Sequence, residues 1–504
     1  MAEPESMSAA YAELERRFER LDALQGASAV LDWDSQTMMP AGGSGDRAEQ
    51  CAALALVCHE TLTDPALAEA LDRAEADEAA GLDAWQAANL AEMRRQWTHA
   101  HAVEARLVEA LSRATSLCEM RWRKARAGDD FAGLAPLLAE VVALTAESAE
   151  AKAAALGCSP YDALLDEYEP GGRAADIDAL FADLAAFLPD FIARALDRQA
   201  RAPAPLPLDG PFALAAQRDL GRKLMETVGF DFEHGRLDVS DHPFCGGTAD
   251  DVRITTRYSE SDFTKALMAV LHETGHAMYE RGLPPAWRRQ PVGKAGSMSL
   301  HESQSLLLEM QACRGPEFVA FVAPLLREAF GRDGPAWQPD NLLHLYTRVE
   351  PGLIRVDADE VTYPAHVLLR YRIEKALISG DMAVADLPGA WRDGMREFLG
   401  IAPPDDRDGC LQDVHWAAGL FGYFPTYTLG AMIAAQLFDA ARRADADLVP
   451  GIARGDFRPL YAWLRENVHG LGASLSTAAL VERATGRPLD VQVFKAHLKA
   501  RYLV

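Results

Sequence analysis

The chain has 504 residues, 49% hydrophobic and 25% charged, an ordinary globular composition that excludes disordered and fibrous classes. A formal net charge of -25, with no basic cluster interleaved with aromatics, argues against nucleic acid as a partner. Seven cysteines (Cys51, Cys58, Cys118, Cys158, Cys245, Cys313, Cys410) are scattered without a CxxC pair. That excludes a disulfide framework and a thiolate metal site, so any metal must use nitrogen and oxygen donors.

The opening MAEPESMSAAYAELE lacks a basic region followed by an apolar one, and no apolar run approaches the ~18 residues of a membrane span. The cytoplasm is therefore the expected compartment, with no membrane partner. Tyr11, Leu14, Phe18, Leu21 and Leu24 then recur at three and four residues, as on one face of an amphipathic helix. Similar patterns fill the first 200 residues, and the Ala-, Asp- and Glu-rich run from Pro65 to Met93 reads as a solvated helix surface. RAPAPLPLDGPF, with prolines at 203, 205, 207 and 211, reads as a stiff connector. It separates an N-terminal helical layer of about 1–200 from a portion of about 212–504, within one domain spanning 1–504.

After the connector, DVRITTRY sets Val252, Ile254, Thr256 and Tyr258 against Asp251, Arg253, Thr255 and Arg257. This period of two over a β-branched stretch predicts a strand. Helical patterns follow to Val504, broken by RGLPP near Gly282 and by IAPPDDRDG around Pro403. The expectation is a mainly α fold with a small β-sheet beside the next helix.

That helix carries VLHETGHAMYE. Positions i and i+4 lie about 40° apart in azimuth, so His272 and His276 can converge on one ion. Glu273 is rotated by roughly 100° from His272 and suits a general base acting on a metal-activated water. Catalytic zinc usually takes three protein ligands. Glu302 of SLHESQSLLLE, on a second helical pattern, is the candidate third ligand; its competing reading is a capping box with Ser299. Tyr279 and Gly282 stand where a longer HExxHxxGxxH motif needs its glycine and third histidine, which disfavours a three-histidine site.

HETGH followed by HESQ resembles the carboxypeptidase Taq family of thermostable metallocarboxypeptidases, HExxH enzymes of gluzincin type. HPF at His242 to Phe244, DxRxT at Asp251, Arg253 and Thr255, IRxxAD at Ile354 to Asp359, and GxxQDxHW at Gly409 to Trp416 agree with that family's motifs. The resemblance spans residues 242–416, and the family's usual length matches the chain. It implies a large helical zincin-like fold with a deep active-site cleft and a homodimer. It also implies removal of single C-terminal residues from peptides with a free C-terminus, using zinc or cobalt. Carried over by position, His272, His276 and Glu302 are the metal ligands and Glu273 is the base.

QDVHWAAGLFGYFPTYTLG is rich in donors for a developing oxyanion, with His415 and Tyr423 the candidates and Tyr427 the competing phenol. A guanidinium matches a terminal carboxylate bidentately, which selects Arg355, whose competing reading is a helix pair with Asp359. Arg253 is the second choice, against plain strand packing. His242, otherwise a turn residue, and Gln412 are substrate-side candidates taken from their motifs. His301 is a candidate to support Glu302 from behind. Two alternatives stand beside this reading: a zinc oligopeptidase or dipeptidyl carboxypeptidase, and a non-catalytic helical peptide-binding protein.

Overall fold

The structure, a computed structural model, describes residues 9–503, so the opening MAEPESM lies outside the described residues. Two compact units form from interleaved segments. The first comprises Met1–His101, Pro205–His344 and Ile433–Leu489; the second comprises Ala102–Ala204, Leu345–Met432 and Asp490–Val504. One boundary, between Ala204 and Pro205, falls inside the proline-rich segment, and another lies between His101 and Ala102.

In the first unit, helix α1 (Ala9–Thr37) buries Tyr11, Leu14, Phe18 and Leu21. They pack on Leu67, Ala70, Leu71, Leu90 and Met93, so the acidic run from Pro65 to Met93 also lends side chains to the core and is not only solvated surface. Each large side chain buried this way contributes roughly 1.5–3 kcal/mol. Buried Asn89 ties this layer to the next segment: its amide donates to the Tyr11 hydroxyl and to Gln290 Oε1, and its oxygen accepts from Val292 N. A buried amide so satisfied costs little and fixes one packing arrangement.

The sheet has three strands, β1 (Gly235–Val239), β2 (Phe244–Thr248) and β3 (Asp251–Thr256), in the order β1-β3-β2. β1 runs parallel to β3 in the register Gly235↔Val252, and β2 is antiparallel with Cys245↔Ile254. Val252, Ile254 and Thr256 are buried as the alternation requires, but so is Thr255. Its hydroxyl accepts from Ser240 Oγ and Phe244 N, pinning the turn that contains HPF. Helix α2 (Thr264–Gly282) packs on this sheet and helix α3 (Met298–Leu306) packs on α2.

In the second unit, helix Phe131–Leu156 is apolar and long enough to cross a membrane by length and composition. It holds no long uninterrupted apolar run, because Glu140 and Glu147 interrupt an otherwise alanine- and leucine-rich stretch. Its Leu134, Leu138, Val141 and Ala149 are buried, and it packs on helices Ala105–Gly128 and Pro160–Leu165, as a core helix does.

Helix α4 (Tyr363–Ser379) is the buried centre of this unit, and α5 (Val491–Tyr502) closes the chain. Buried Glu360 takes Arg501 Nη1 at 2.8 Å and the Tyr502 hydroxyl at 2.9 Å, with His497 Nε2 at 2.7 Å, anchoring α5. Burial alone would raise the Glu360 carboxyl, but Arg501 and His497 hold it well below its ordinary 4.5. A depressed folded-state value contributes stability above the unfolded value and loses it as pH falls towards the folded one. Glu360→Gln should therefore cost about 3–5 kcal/mol at neutral pH. In thermal unfolding, the gap between parent and variant should narrow below the carboxyl's ordinary 4.5. A gap constant from pH 7 to pH 3 would contradict this account.

Candidate metal centre

Asp262 starts α2 by accepting from Thr264 N and Oγ1, and Pro284 and Pro285 follow its end, where a helix cannot continue. The helix is buried nearly all round, and its geometry sets His272 and His276 one turn apart, ring centroids separated by 5.0 Å. At Gly275, between them, a Cβ would lie 2.5 Å from the Gln304 carbonyl oxygen and 2.6 Å from Ser305 Cα. Only a glycine lets the α2 and α3 backbones approach this closely.

That approach delivers Glu302. Its Oε1 lies 3.9 Å from His272 Nε2 and its Oε2 3.6 Å from His276 Nε2. The three donor atoms fall within 4.8 Å of one another. Zinc bonds of about 2.1 Å in tetrahedral array put donors roughly 3.4 Å apart, so this set fits a divalent cation with slight contraction. Ser297, not Ser299, caps α3, its hydroxyl accepting from Leu300 N, which removes the capping-box reading of Glu302.

The surrounding electrostatics favour a cation. Burial lowers the His272 value, but Glu302, Glu309 and Glu273 outweigh it and push it up to about 10. Glu273 is 7% exposed, and its burial, opposed by His272, raises its carboxyl to about 7. A carboxylate poised there accepts a proton from water and gives it up again near neutral pH.

Behind the ligands, His272 Nδ1 lies 2.9 Å from Glu309 Oε2, whose other oxygen accepts from Arg314. His276 Nδ1 faces the His301 carbonyl oxygen at 3.1 Å and the His301 ring at 2.7 Å, while His301 Nε2 meets Glu280 at 2.9 Å. His301 thus backs His276. The rest of HESQ is structural: Gln304 Oε1 meets His469 Nε2 at 3.0 Å.

Arg253 is occupied locally. It pairs with Asp251 at 2.7 Å and lies 4.2 Å over the Trp33 ring of α1, so strand packing accounts for it. His242 is exposed in the turn, its carbonyl accepting from Ser240 Oγ at 2.5 Å.

The remaining candidates gather within the second unit. Arg355 is buried in a short 3₁₀ turn, Arg355–Asp357, so the helix pair with Asp359 that was its competing reading does not form. Asp359 instead accepts from Val361 N and Thr362 N ahead of α4. Arg355 donates to Asp413 Oδ1 from Nε at 3.0 Å and Nη2 at 2.9 Å, and to the Tyr363 hydroxyl at 2.9 Å. Arg370, fully buried, donates to Asp413 Oδ2 at 2.6 Å. Burial would raise the Asp413 carboxyl, but the two guanidiniums hold it well below the usual range. Burial, with Arg355 adding to it, lowers Arg370 to about 10 against the pull of Asp413.

Gln412 accepts from Arg355 N and Arg370 Nη2, and its amide donates to the Leu353, Asp408 and Gly409 carbonyls. Both its polar ends are consumed, so it frames the two arginines. His415 Nε2 lies 3.3 Å from the Tyr427 hydroxyl, and the Tyr423 and Tyr427 rings are 5.3 Å apart. Burial, offset by Asp413, brings His415 down to about 4, which leaves it neutral at pH 7. Asp413, Arg370 and Glu309 drew no assignment from the sequence. Glu374 was also missed: it collects the Tyr161 hydroxyl, Trp416 Nε1 and Gly422 N, and so holds the loop after His415.

A family model described as carboxypeptidase Taq (M32) metallopeptidase matches residues 13–502. Thermostable carboxypeptidase 1 of Thermus thermophilus is 42% identical over 489 residues, 95% of each chain. Carboxypeptidase 1 of Bacillus subtilis is 34% identical over 488 residues, 96% of each. Among solved structures, Trypanosoma cruzi metallocarboxypeptidase 1 is 42% identical, with a TM-score of 0.96 over 98% of this chain and 99% of that one. With matches of this length and a donor set suited to a divalent cation, the chain belongs to the carboxypeptidase Taq (M32) metallopeptidase family and is a metal-dependent carboxypeptidase.

Proposed function

We propose that the whole chain works as one peptidase, hydrolysing the C-terminal bond of peptides and releasing one amino acid per cycle. The observation that carries this reading is the convergence of His272, His276 and Glu302, with buried Glu273 on the same helix as the two histidines. These three residues would hold one divalent cation. Zinc suits their two nitrogens and one carboxylate best, and cobalt is the alternative. Once bound, the cation supplies Lewis-acid polarisation of the scissile carbonyl and eases deprotonation of water.

Glu273 takes the proton from the attacking water and returns it to the leaving amine, so no covalent acyl-enzyme forms. Neutral His415, with Tyr423 or Tyr427, donates to the carbonyl oxygen as negative charge develops there. Asp413 balances only one of Arg355 and Arg370, and this buried excess of positive charge supports Arg355 as the receptor for a substrate's terminal carboxylate. Gln412 acts through both arginines. Arg253 and His242 remain the weaker substrate-side assignments. The family resemblance supports a homodimer, and the acidic net charge suits a cytoplasmic enzyme that does not engage nucleic acid.

A mass-spectrometric time course on one mixed-sequence peptide, as free acid and as C-terminal amide, tests the reading. Metal-loaded protein should shorten the free acid one residue at a time and leave the amide intact. Internal cuts in both peptides would overturn the carboxypeptidase assignment in favour of an oligopeptidase.

A further inference from the structure

The imidazole of His272 lies between two carboxylates from one continuous helical stretch. Glu302 of α3 faces its Nε2, and Glu309 faces its Nδ1 at 2.9 Å. Glu309 lies seven residues after Glu302, close to two helical turns, which keeps both on one side of the helix. The turn carrying Glu309, Leu307–Ala312, is π-helical, a departure from regular geometry that concentrates at functional sites. Arg314 Nη2 donates to the other Glu309 oxygen at 2.7 Å, and both side chains are largely buried. His276 is supported differently, with a backbone carbonyl at its Nδ1.

We propose that Glu309, held by Arg314, is a positioning residue for the metal centre. It accepts the His272 Nδ1 proton, which fixes the tautomer that leaves Nε2 free as a donor, locks the ring plane and raises the basicity of Nε2. Arg314 pairs with the other Glu309 oxygen and fixes its rotamer. The competing account gives Glu309 only a structural task, neutralising buried Arg314. The inference rests on the metal reading of His272, His276 and Glu302, and the two are separable.

Zinc affinity of the full chain is measured by competition with a chromophoric chelator for the parent, Glu309→Gln and Glu309→Ala, alongside the visible absorption spectrum of each cobalt-loaded protein. Glu309→Ala should weaken zinc binding roughly 10–100-fold and alter the cobalt bands. Glu309→Gln, which keeps an acceptor oxygen but loses the charge, should fall between it and the parent. If Glu309→Ala does not fold, Glu309→Gln decides: a severalfold loss supports the proposal. Affinities within about twofold of the parent, with an unchanged cobalt spectrum, overturn the proposal and leave the metal site standing. A parent that binds no zinc overturns both.

Discussion

Glu273→Gln is expected to lower kcat by roughly 10²–10⁴-fold while zinc content stays at the parent level. The substitution keeps the size and shape of the side chain, so the packing of α2 survives, and none of His272, His276 or Glu302 is touched. What disappears is the ability to accept a proton. The parent carboxyl is buried and raised to about 7, which makes its ionised form costly to the fold. Removing the charge relieves that cost, so the variant should unfold at the same temperature as the parent or a higher one. Three measurements on one preparation decide the matter: steady-state kcat, metal content by elemental mass spectrometry, and thermal unfolding. Zinc lost in proportion to activity, as expected for His276→Ala, would show that Glu273 organises the site instead of serving as its base.

The parts of this arrangement legible in the sequence are those whose partners lie close along the chain. His272 and His276 are one turn apart, and the stripe from Tyr11 to Leu21 repeats at helical spacing. β3 showed through its β-branched alternation, whereas the half-exposed GRLDV and glycine-rich FCGGT of β1 and β2 offer no clean face. Glu302 was found through its motif; helical spacing alone could not separate a ligand from a cap. The charge networks stayed hidden because their members are remote. Asp413 meets Arg355 across 58 residues and Arg370 across 43, and Glu309 meets His272 across 37. At Arg355 the competing reading, an i,i+4 pair with Asp359, needed an α-helix, but the backbone there makes a single 3₁₀ turn and sends the guanidinium to Asp413. Adjacency to Glu302 suggested His301 as support behind the ligands, and the structure sets its ring 2.7 Å from His276 Nδ1, a contact across 25 residues that adjacency does not reveal.

Gly275→Ala should damage the metal centre although it adds a single methyl. Helix propensity predicts the opposite, because alanine is favoured over glycine in a helix interior by about 1 kcal/mol. Sterics decide against it. The added methyl would lie 2.5 Å from the Gln304 carbonyl oxygen and 2.6 Å from Ser305 Cα, both backbone atoms that no rotamer change can move aside. Helices α2 and α3 must therefore separate, by roughly an ångström, at an overpacking cost of about 1–3 kcal/mol. Glu302 moves with α3 while His272 and His276 stay on α2. Their donor atoms already stand 3.6 Å and 3.9 Å apart, at the wide end of what one ion can bridge. The variant should bind zinc markedly less tightly, and even when saturated should lose on the order of 10²-fold in kcat through misplacement of the site. This pattern differs from that of Glu273→Gln, where affinity is kept and turnover alone is lost. Chelator competition for zinc and kcat at saturating metal separate the two. A Gly275→Ala protein with parental zinc affinity and turnover would mean that the helices slide past each other to absorb the methyl, and that their close contact does not set the position of Glu302.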